Sequence, residues 1–225
     1  MRYEHIQEAV FLARPNRFIA HCLLDEEEVV CHVKNTGRCR ELLLPGARVI
    51  LSRGTNPQRR TGWDLVSVYK GERLINMDSQ APNAIASEYL PRLFPDLSEL
   101  RREVTLGDSR FDFYGVRGSR PFYLEVKGVT LEQDGLVLFP DAPTERGVKH
   151  LRELAALQRT GVDAHVLFIV QMANVISLRA NRATDPAFAD ALLAARDAGV
   201  GIHAVDCLVT PQTIDAHLPV PIQYV

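Results

Sequence analysis

The chain has 225 residues, 46% of them apolar and 24% charged, with a formal net charge of −2. That composition fits a soluble globular protein of one large or two small domains and excludes a strongly basic chain. No apolar run reaches the ~18 residues of a membrane span, no secretory signal is visible at the start, and the four cysteines lack CxxC spacing, so reduced thiols in a cytoplasmic protein are expected, with neither zinc nor a disulfide framework.

Up to about residue 80 the pattern predicts short strands at 17–24, 28–33, 47–52, 63–69 and 72–78. Turn signals separate them: NTG (35–37), PG (45–46), GTNP (54–57) and KG (70–71). Five short strands with little helix fit a five-stranded OB-type barrel, a fold that often binds nucleic acid. Between Lys34 and Arg60 lie seven basic residues and one acid, Glu41. The cluster either attracts phosphate or is a solvated surface balanced by the acidic run 25–28. DSQAPN (78–83) reads as the boundary, giving domains 1–81 and 82–225.

The second part mixes helices and strands. A helix is expected over 83–94, with Asn83 as cap and Pro91 as breaker. Two strand pieces follow in 102–116, then strands at 120–131 and 135–140. A helix starts at Thr144, with Val148, Leu151, Leu154, Ala155 and Leu157 mainly at helical spacing. The apolar run 164–170 reads as a buried central strand. Residues 185–199 form a helix with an Asp cap, Pro at its first position and Gly after its end. A last strand is expected at 200–209.

Chemistry concentrates on FYLEVKGVTL (122–131). Alternation puts Phe122, Leu124 and Val126 on one face and Tyr123, Glu125 and Lys127 on the other. Charges on a mostly apolar strand are costly unless paired or bound. Upstream, SRFDFYGV (109–116) alternates Phe111 and Phe113 with Arg110, Asp112 and Tyr114. With RGSRP as the turn, adjacent antiparallel strands set Asp112 beside Glu125. Two neighbouring carboxylates repel, and Mg²⁺ or Mn²⁺ between them relieves the repulsion and is able to polarise a phosphodiester. Lys127 then orients water or stabilises developing charge. The chain has 22 arginines and only four lysines, and a lysine here, whose pKa can shift, suits catalysis. The spacing alone also fits a structural ion pair on a sheet face.

Two further groups read as phosphate contacts. In NTGR, Asn35, Thr36, Gly37 and Arg38 offer backbone amides and a guanidinium, with Arg40 beside them; the same residues also suit a plain hairpin turn. On the helix from Thr144, Arg146 and His150 share a face, and Lys149 adjoins them; the same residues also suit a solvated helix face. Trp63 and Tyr69 either stack on bases or belong to the core.

The sequence resembles the sugar fermentation stimulation protein A family, through RPNRFIAH (14–21), HVKNTGRCRELLLPG (32–46), MDSQAPN (77–83), SRFDF (109–113), YLEVKGVTL (123–131) and FPDAPTERGVKHLREL (139–154). The resemblance implies an N-terminal OB-like domain, a C-terminal domain like the PD-(D/E)xK nucleases, DNA binding and a role in regulating sugar use. In that nuclease pattern Asp112, Glu125 and Lys127 take the D, E and K positions, and Glu88 matches an additional acid that many such enzymes place on a helix. Lys34 stands where the family leads one to expect proline, and Cys39 where methionine is frequent. The expected function is a DNA-binding protein with a Mg²⁺- or Mn²⁺-dependent nuclease site. The alternatives are a DNA-binding regulator without catalysis and an RNA- or nucleotide-binding module.

Overall fold

The computed structural model describes every residue except Thr36, Arg38, 55–58, Arg60, Asp108 and Val225. Six strands come first: β1 (Ile6–Asn16), β2 (Ile19–Leu24), β3 (Glu27–Val33), β4 (Arg48–Arg53), β5 (Trp63–Lys70) and β6 (Arg73–Asn76). They run in the order β3-β2-β1-β4-β5-β6, and a parallel β3–β5 pairing closes the first five into a barrel. Period-two alternation turns Ala20, Cys22, Leu24, Cys31, Val33, Val49, Leu51 and Leu65 into its core. The OB-like barrel is therefore as expected, but its strand membership differs. β1 was not anticipated, because two register shifts against β2, between Phe11 and Ala13 and between Ala13 and Asn16, break its alternation. The strand expected at 72–78 is β6, which extends the sheet beyond the closed barrel.

The second part contains α1 (Ala81–Leu93), β7 (Leu97–Leu106), β8 (Ser109–Arg117), β9 (Arg120–Val129), β10 (Leu131–Gln133), β11 (Leu136–Phe139) and α2 (Glu145–Arg159). It continues with β12 (Asp163–Val170), β13 (Ser177–Ala180), α3 (Pro186–Asp197), β14 (Gly201–Val209), β15 (Ile214–Pro219) and β16 (Ile222–Gln223). Among the described residues the main sheet has the order β15-β14-β12-β9-β8-β7, parallel through β9, β12 and β14 and antiparallel at both edges. A smaller sheet, β10-β11-β13-β16, stands beside it. The strands β13, β15 and β16 are short or polar and carry no clear sequence pattern.

β12 shows why the sheet sits in the middle. Ala164, Val166, Phe168 and Val170 pack with Val148, Leu151 and Leu154 of α2 and Phe188 of α3. Leu167 and Ile169 pack on the other side with Ile85, Ala86 and Leu90 of α1. Both faces are buried, so the strand reads as a continuous apolar run. The helices end as their residues require. Thr144 Oγ1 accepts from the Gly147 amide (3.0 Å), and Asp185 Oδ1 accepts from the Phe188 amide (2.9 Å). Gly199 closes α3 at φ 89°, where a side chain is disfavoured. The four cysteines are free and buried, and no helix among the described residues is long and apolar enough to cross a membrane.

Charges join the barrel to the second part. Glu132 of β10, buried at 5% exposure, meets Lys70 (2.7 Å) and Arg73 (2.6 Å) from the barrel side. Burial pushes the Glu132 carboxyl up, but the Lys70 bond, the Gly135 amide and Arg73 outweigh it and bring it down to about 2. A value below that of the unfolded chain means stabilisation that is present above about pH 4.3 and fades as the pH falls toward 2. Glu132→Gln is expected to lower unfolding free energy at pH 7 by on the order of 2 kcal/mol, given partly exposed partners. Urea melts of the two proteins should converge near pH 2–3; a difference that persists there rules out this linkage.

Candidate active site

The β8–β9 hairpin turns through Gly118, at φ 55°, between the paired Arg117 and Arg120. Its ladder runs to the pair Phe113↔Leu124 and stops. At the next residue a side chain takes over: Asp112 Oδ2 accepts from the Val126 amide at 2.8 Å, where a ladder carbonyl would otherwise serve. Asp112 Oδ1 accepts from Asn83 Nδ2 at 2.9 Å. The strand twists here. Phe111 packs with the α2 side and Phe113 with the α1 side, so the simple alternation expected for SRFDF does not hold. On β7, Glu103 lies between the residues paired with Phe113 and Phe111 and has φ 56°. That left-handed conformation costs a non-glycine residue about 1–2 kcal/mol, and the local distortion lies where Asp112 leaves the ladder.

Glu125 and Lys127 point from β9 toward α2. Lys127 Nζ is 2.6 Å from Glu125 Oε1, and the His150 ring nitrogen Nδ1 bonds the same oxygen. Arg146 Nε donates to His150 Nε2 at 3.3 Å. Nε2 is thus an acceptor, and Nδ1 carries the proton given to Glu125. The second carboxylate oxygen, Glu125 Oε2, is buried and has no hydrogen-bond partner. Burial raises the Glu125 carboxyl, but His150 and Lys127 outweigh it and hold it below the usual range. Asp112 goes the other way: burial first, then the charge of Glu125, push its carboxyl up against the Val126 and Asn83 bonds. Two adjacent carboxylates with opposite shifts form a site that divides a proton unequally or takes a cation.

Both carboxylates and Lys127 line a polar cleft of about 510 Å³. Its walls are the start of α1 (Pro82, Asn83), the segment Pro140–Thr144 that leads into α2, Arg146, and Asn35 and Gly37 from the barrel. Among the described residues no set of three or more His, Cys, Asp or Glu side chains is arranged to hold a metal. Two carboxylates still suit Mg²⁺ or Mn²⁺, which commonly keep waters and take the remaining ligands from phosphate. The buried Oε2 of Glu125, unpartnered among the described residues, is the acceptor that such an ion would satisfy.

The other expected site residues do not all gather at the cleft. Asn35, Gly37, Thr144 and Arg146 line the cleft, although the Gly37 amide is already given to Asn35 Oδ1 at 2.7 Å. Thr36 and Arg38 lie outside the described residues. Arg40 lines a neighbouring groove on the barrel. Lys149 is exposed and pairs with Glu153 at 3.5 Å. Two expectations are corrected. Glu88 does not reach the cleft: it is exposed and binds the Met1 ammonium at 3.1 Å. It lies five positions after Asn83, which puts it about 140° around the helix. His150 is buried against Glu125, so it does not present itself to a phosphate backbone. Lys34 adds no free charge to its loop either, because it pairs with Asp78 at 2.6 Å. Trp63 and Tyr69 are half-buried and pack against the two cores.

Sequence reasoning missed Asn83 as a partner of Asp112 and Gln171 as a cleft residue. Asn83 reads as a helix cap, yet α1 begins at Ala81 with Pro82 in its first turn. That frees the Asn83 side chain for Asp112. Gln171 follows an apolar strand and gives no local signal. Its side chain reaches Asn76 Oδ1 (2.8 Å) and the Asp78 carbonyl (3.0 Å).

Comparison with known proteins agrees with this pair of folds. Residues 12–77 match the family model described as the SfsA N-terminal OB domain. Residues 80–213 match the sugar fermentation stimulation protein RE domain. A sugar fermentation stimulation protein homolog of Desulfitobacterium hafniense (strain Y51) is 52% identical over 217 residues, covering 96% of this chain and 95% of the relative. One from Ruminiclostridium cellulolyticum is 45% identical over 225 residues, covering 99% and 100%. The solved structure of Pyrococcus furiosus SfsA in complex with Ca²⁺ superposes with a TM-score of 0.87 at 26% identity, covering 99% of this chain and 98% of that one.

Proposed function

The chain belongs to the sugar fermentation stimulation protein family, and from that premise we propose that it is a cytoplasmic DNA-binding protein with a divalent-metal-dependent phosphodiesterase site in residues 82–225. The observation that carries the reading is the buried, unpartnered Oε2 of Glu125 beside Asp112 in a polar cleft. Asp112 and Glu125 would hold Mg²⁺ or Mn²⁺, and the binding of Ca²⁺ by the Pyrococcus furiosus relative supports a hard, oxygen-seeking cation. When bound, the ion would polarise a phosphodiester and activate water.

The chain's own groups prepare that chemistry. Asn83 and the Val126 amide fix the Asp112 carboxylate from two sides. His150 fixes Glu125 Oε1 and is itself held by Arg146. Lys127, 12% exposed and 2.6 Å from Glu125 in the cleft lining, is placed to stabilise developing negative charge or to orient water. Arg146 and Arg40 contribute phosphate contacts, and Thr144 caps the helix that carries Arg146.

A second reading is a DNA-binding regulator of sugar metabolism without turnover. It is favoured by the small ligand count and by the tight Lys127–Glu125 pair, which neutralises the carboxylate without a metal. Titration calorimetry separates the first step: Mn²⁺ should bind the parent protein at neutral pH and not the Asp112→Asn/Glu125→Gln variant. Incubation with single- and double-stranded DNA in Mg²⁺, Mn²⁺ or EDTA supplies the second. Cleavage that needs metal and both carboxylates supports the enzyme, and equal Mn²⁺ binding by parent and variant removes the site as drawn.

A further inference from the structure

We propose that a single DNA strand crosses from a groove on the barrel, over Gly37, into the carboxylate cleft, so that the preferred substrate is single-stranded DNA. The inference rests on the nucleic-acid reading above and names the form of nucleic acid. The groove encloses about 570 Å³ beside β1 and the loop before β4. Its floor is apolar, with Phe11 and Leu43 buried, and Arg14, Arg17 and Arg40 stand around it. None of the described residues lining it is acidic. Arg14 Nη2 donates to the carbonyls of Arg17 (2.7 Å) and Asn35 (2.8 Å), tying the β1–β2 turn to the loop at Gly37. Among the described residues neither Arg17 nor Arg40 has an ion-pair partner, so both charges are available to phosphate. An apolar floor beneath guanidinium groups suits bases below and a phosphodiester backbone above.

Beside the groove, Phe18 is 45% exposed. The Arg17 guanidinium carbon lies 5.0 Å from its ring centroid, and Asn16 Oδ1 accepts from the amides of Phe18 (2.9 Å) and Ile19 (3.1 Å), which fixes the turn. An exposed aromatic ring next to a cation on a pinned turn is a stacking platform, and stacking needs an unpaired base. Gly37 lines both the groove and the cleft, so the two adjoin there. A Cβ at Gly37 would meet Asp141 Oδ2 at 2.7 Å and Asn35 Oδ1 at 2.9 Å, so these two side chains already narrow the crossing and any residue larger than glycine would close it further. Glu125, at 4% exposure, lies deep in the cleft. A flexible strand reaches such a depth more readily than a stiff duplex.

Fluorescence anisotropy with oligothymidylate and with a duplex of equal length, both in EDTA, tests the path. The single strand should bind at least tenfold more tightly. Phe18→Ala should weaken it by about fivefold to a hundredfold, the effect of losing one base–aromatic stack. Arg17→Ala and Arg40→Ala should each lower the salt slope by about 0.7. These side chains are exposed, so melting temperatures should hold. Equal or tighter duplex binding, or no change in any of the three variants, overturns the path. Duplex binding with intact Mn²⁺ titration leaves the metal site standing, whereas binding of neither DNA form removes the nucleic-acid reading itself.

Discussion

Lys127→Met is expected to cut phosphodiester turnover by on the order of 10²-fold or more, the effect of losing one electrostatic donor, while the fold survives. Methionine keeps much of the lysine stem's volume and removes its charge. The carboxylate left behind is not abandoned, because His150 still bonds Glu125 Oε1. The expected stability loss is therefore about 1 kcal/mol, or a melting temperature lower by about 2–4 °C, rather than the 3–5 kcal/mol of a buried charge stripped of its partner. Lys127→Arg should not restore the rate, since a planar fork does not replace a compact ammonium. Cleavage assays and thermal melts on the same samples decide the matter. A large fall in melting temperature, with no cleavage by the parent under any metal, makes the pair structural and favours the regulator reading.

How much of this was legible beforehand depends on the range of each signal. Strand alternation and turn residues are local, so the barrel class, the central strand β12 and helices α2 and α3 could be read directly. The hairpin that brings Asp112 to β9 was legible too, because RGSRP (117–121) reads as a turn between two strands. The twist at Asp112 was not: it depends on Glu103 across the β7–β8 ladder and on Val126 across the next one. Helical phase could have excluded Glu88 once the face of α1 carrying Asn83 was known. That face, however, is set by packing against Phe113, Phe122 and Leu124, all distant in sequence from most of α1. For His150, periodicity gives a helix face shared with Arg146 and not its burial. Lys34 looked like one more cation in a basic loop because its partner, Asp78, lies 44 residues away.

That hidden partner gives Lys34 its expected effect. Asp78 is fully buried, and its carboxylate gathers Lys34 Nζ (2.6 Å) and Tyr3 Oη (3.3 Å) on Oδ2 and the Gln80 amide (2.9 Å) on Oδ1. Burial, and after it the Asp78 charge, push the Tyr3 hydroxyl above its usual range, so Tyr3 remains a donor in this group. Lys34→Met leaves the carboxylate without a counter-charge. Because Lys34 is itself 22% exposed, the lower end of the range for breaking a buried pair applies, about 3 kcal/mol, or about 6–12 °C in melting temperature for a chain of this length. Adding Asp78→Asn removes the stranded charge and should recover more than half of the loss, a coupling that a double-mutant cycle reads directly. The damage should also reach the cleft. The Lys34 carbonyl accepts from the Ser79 amide (2.9 Å) and hydroxyl (2.7 Å), and so ties the loop bearing Asn35 and Gly37 to the segment that leads into α1 and Asn83. Weaker Mn²⁺ binding by Lys34→Met, restored alongside stability in the double variant, is the expected result. A single variant that melts with the parent would mean that solvent already screens the Asp78 carboxylate and that Lys34 is an ordinary surface cation.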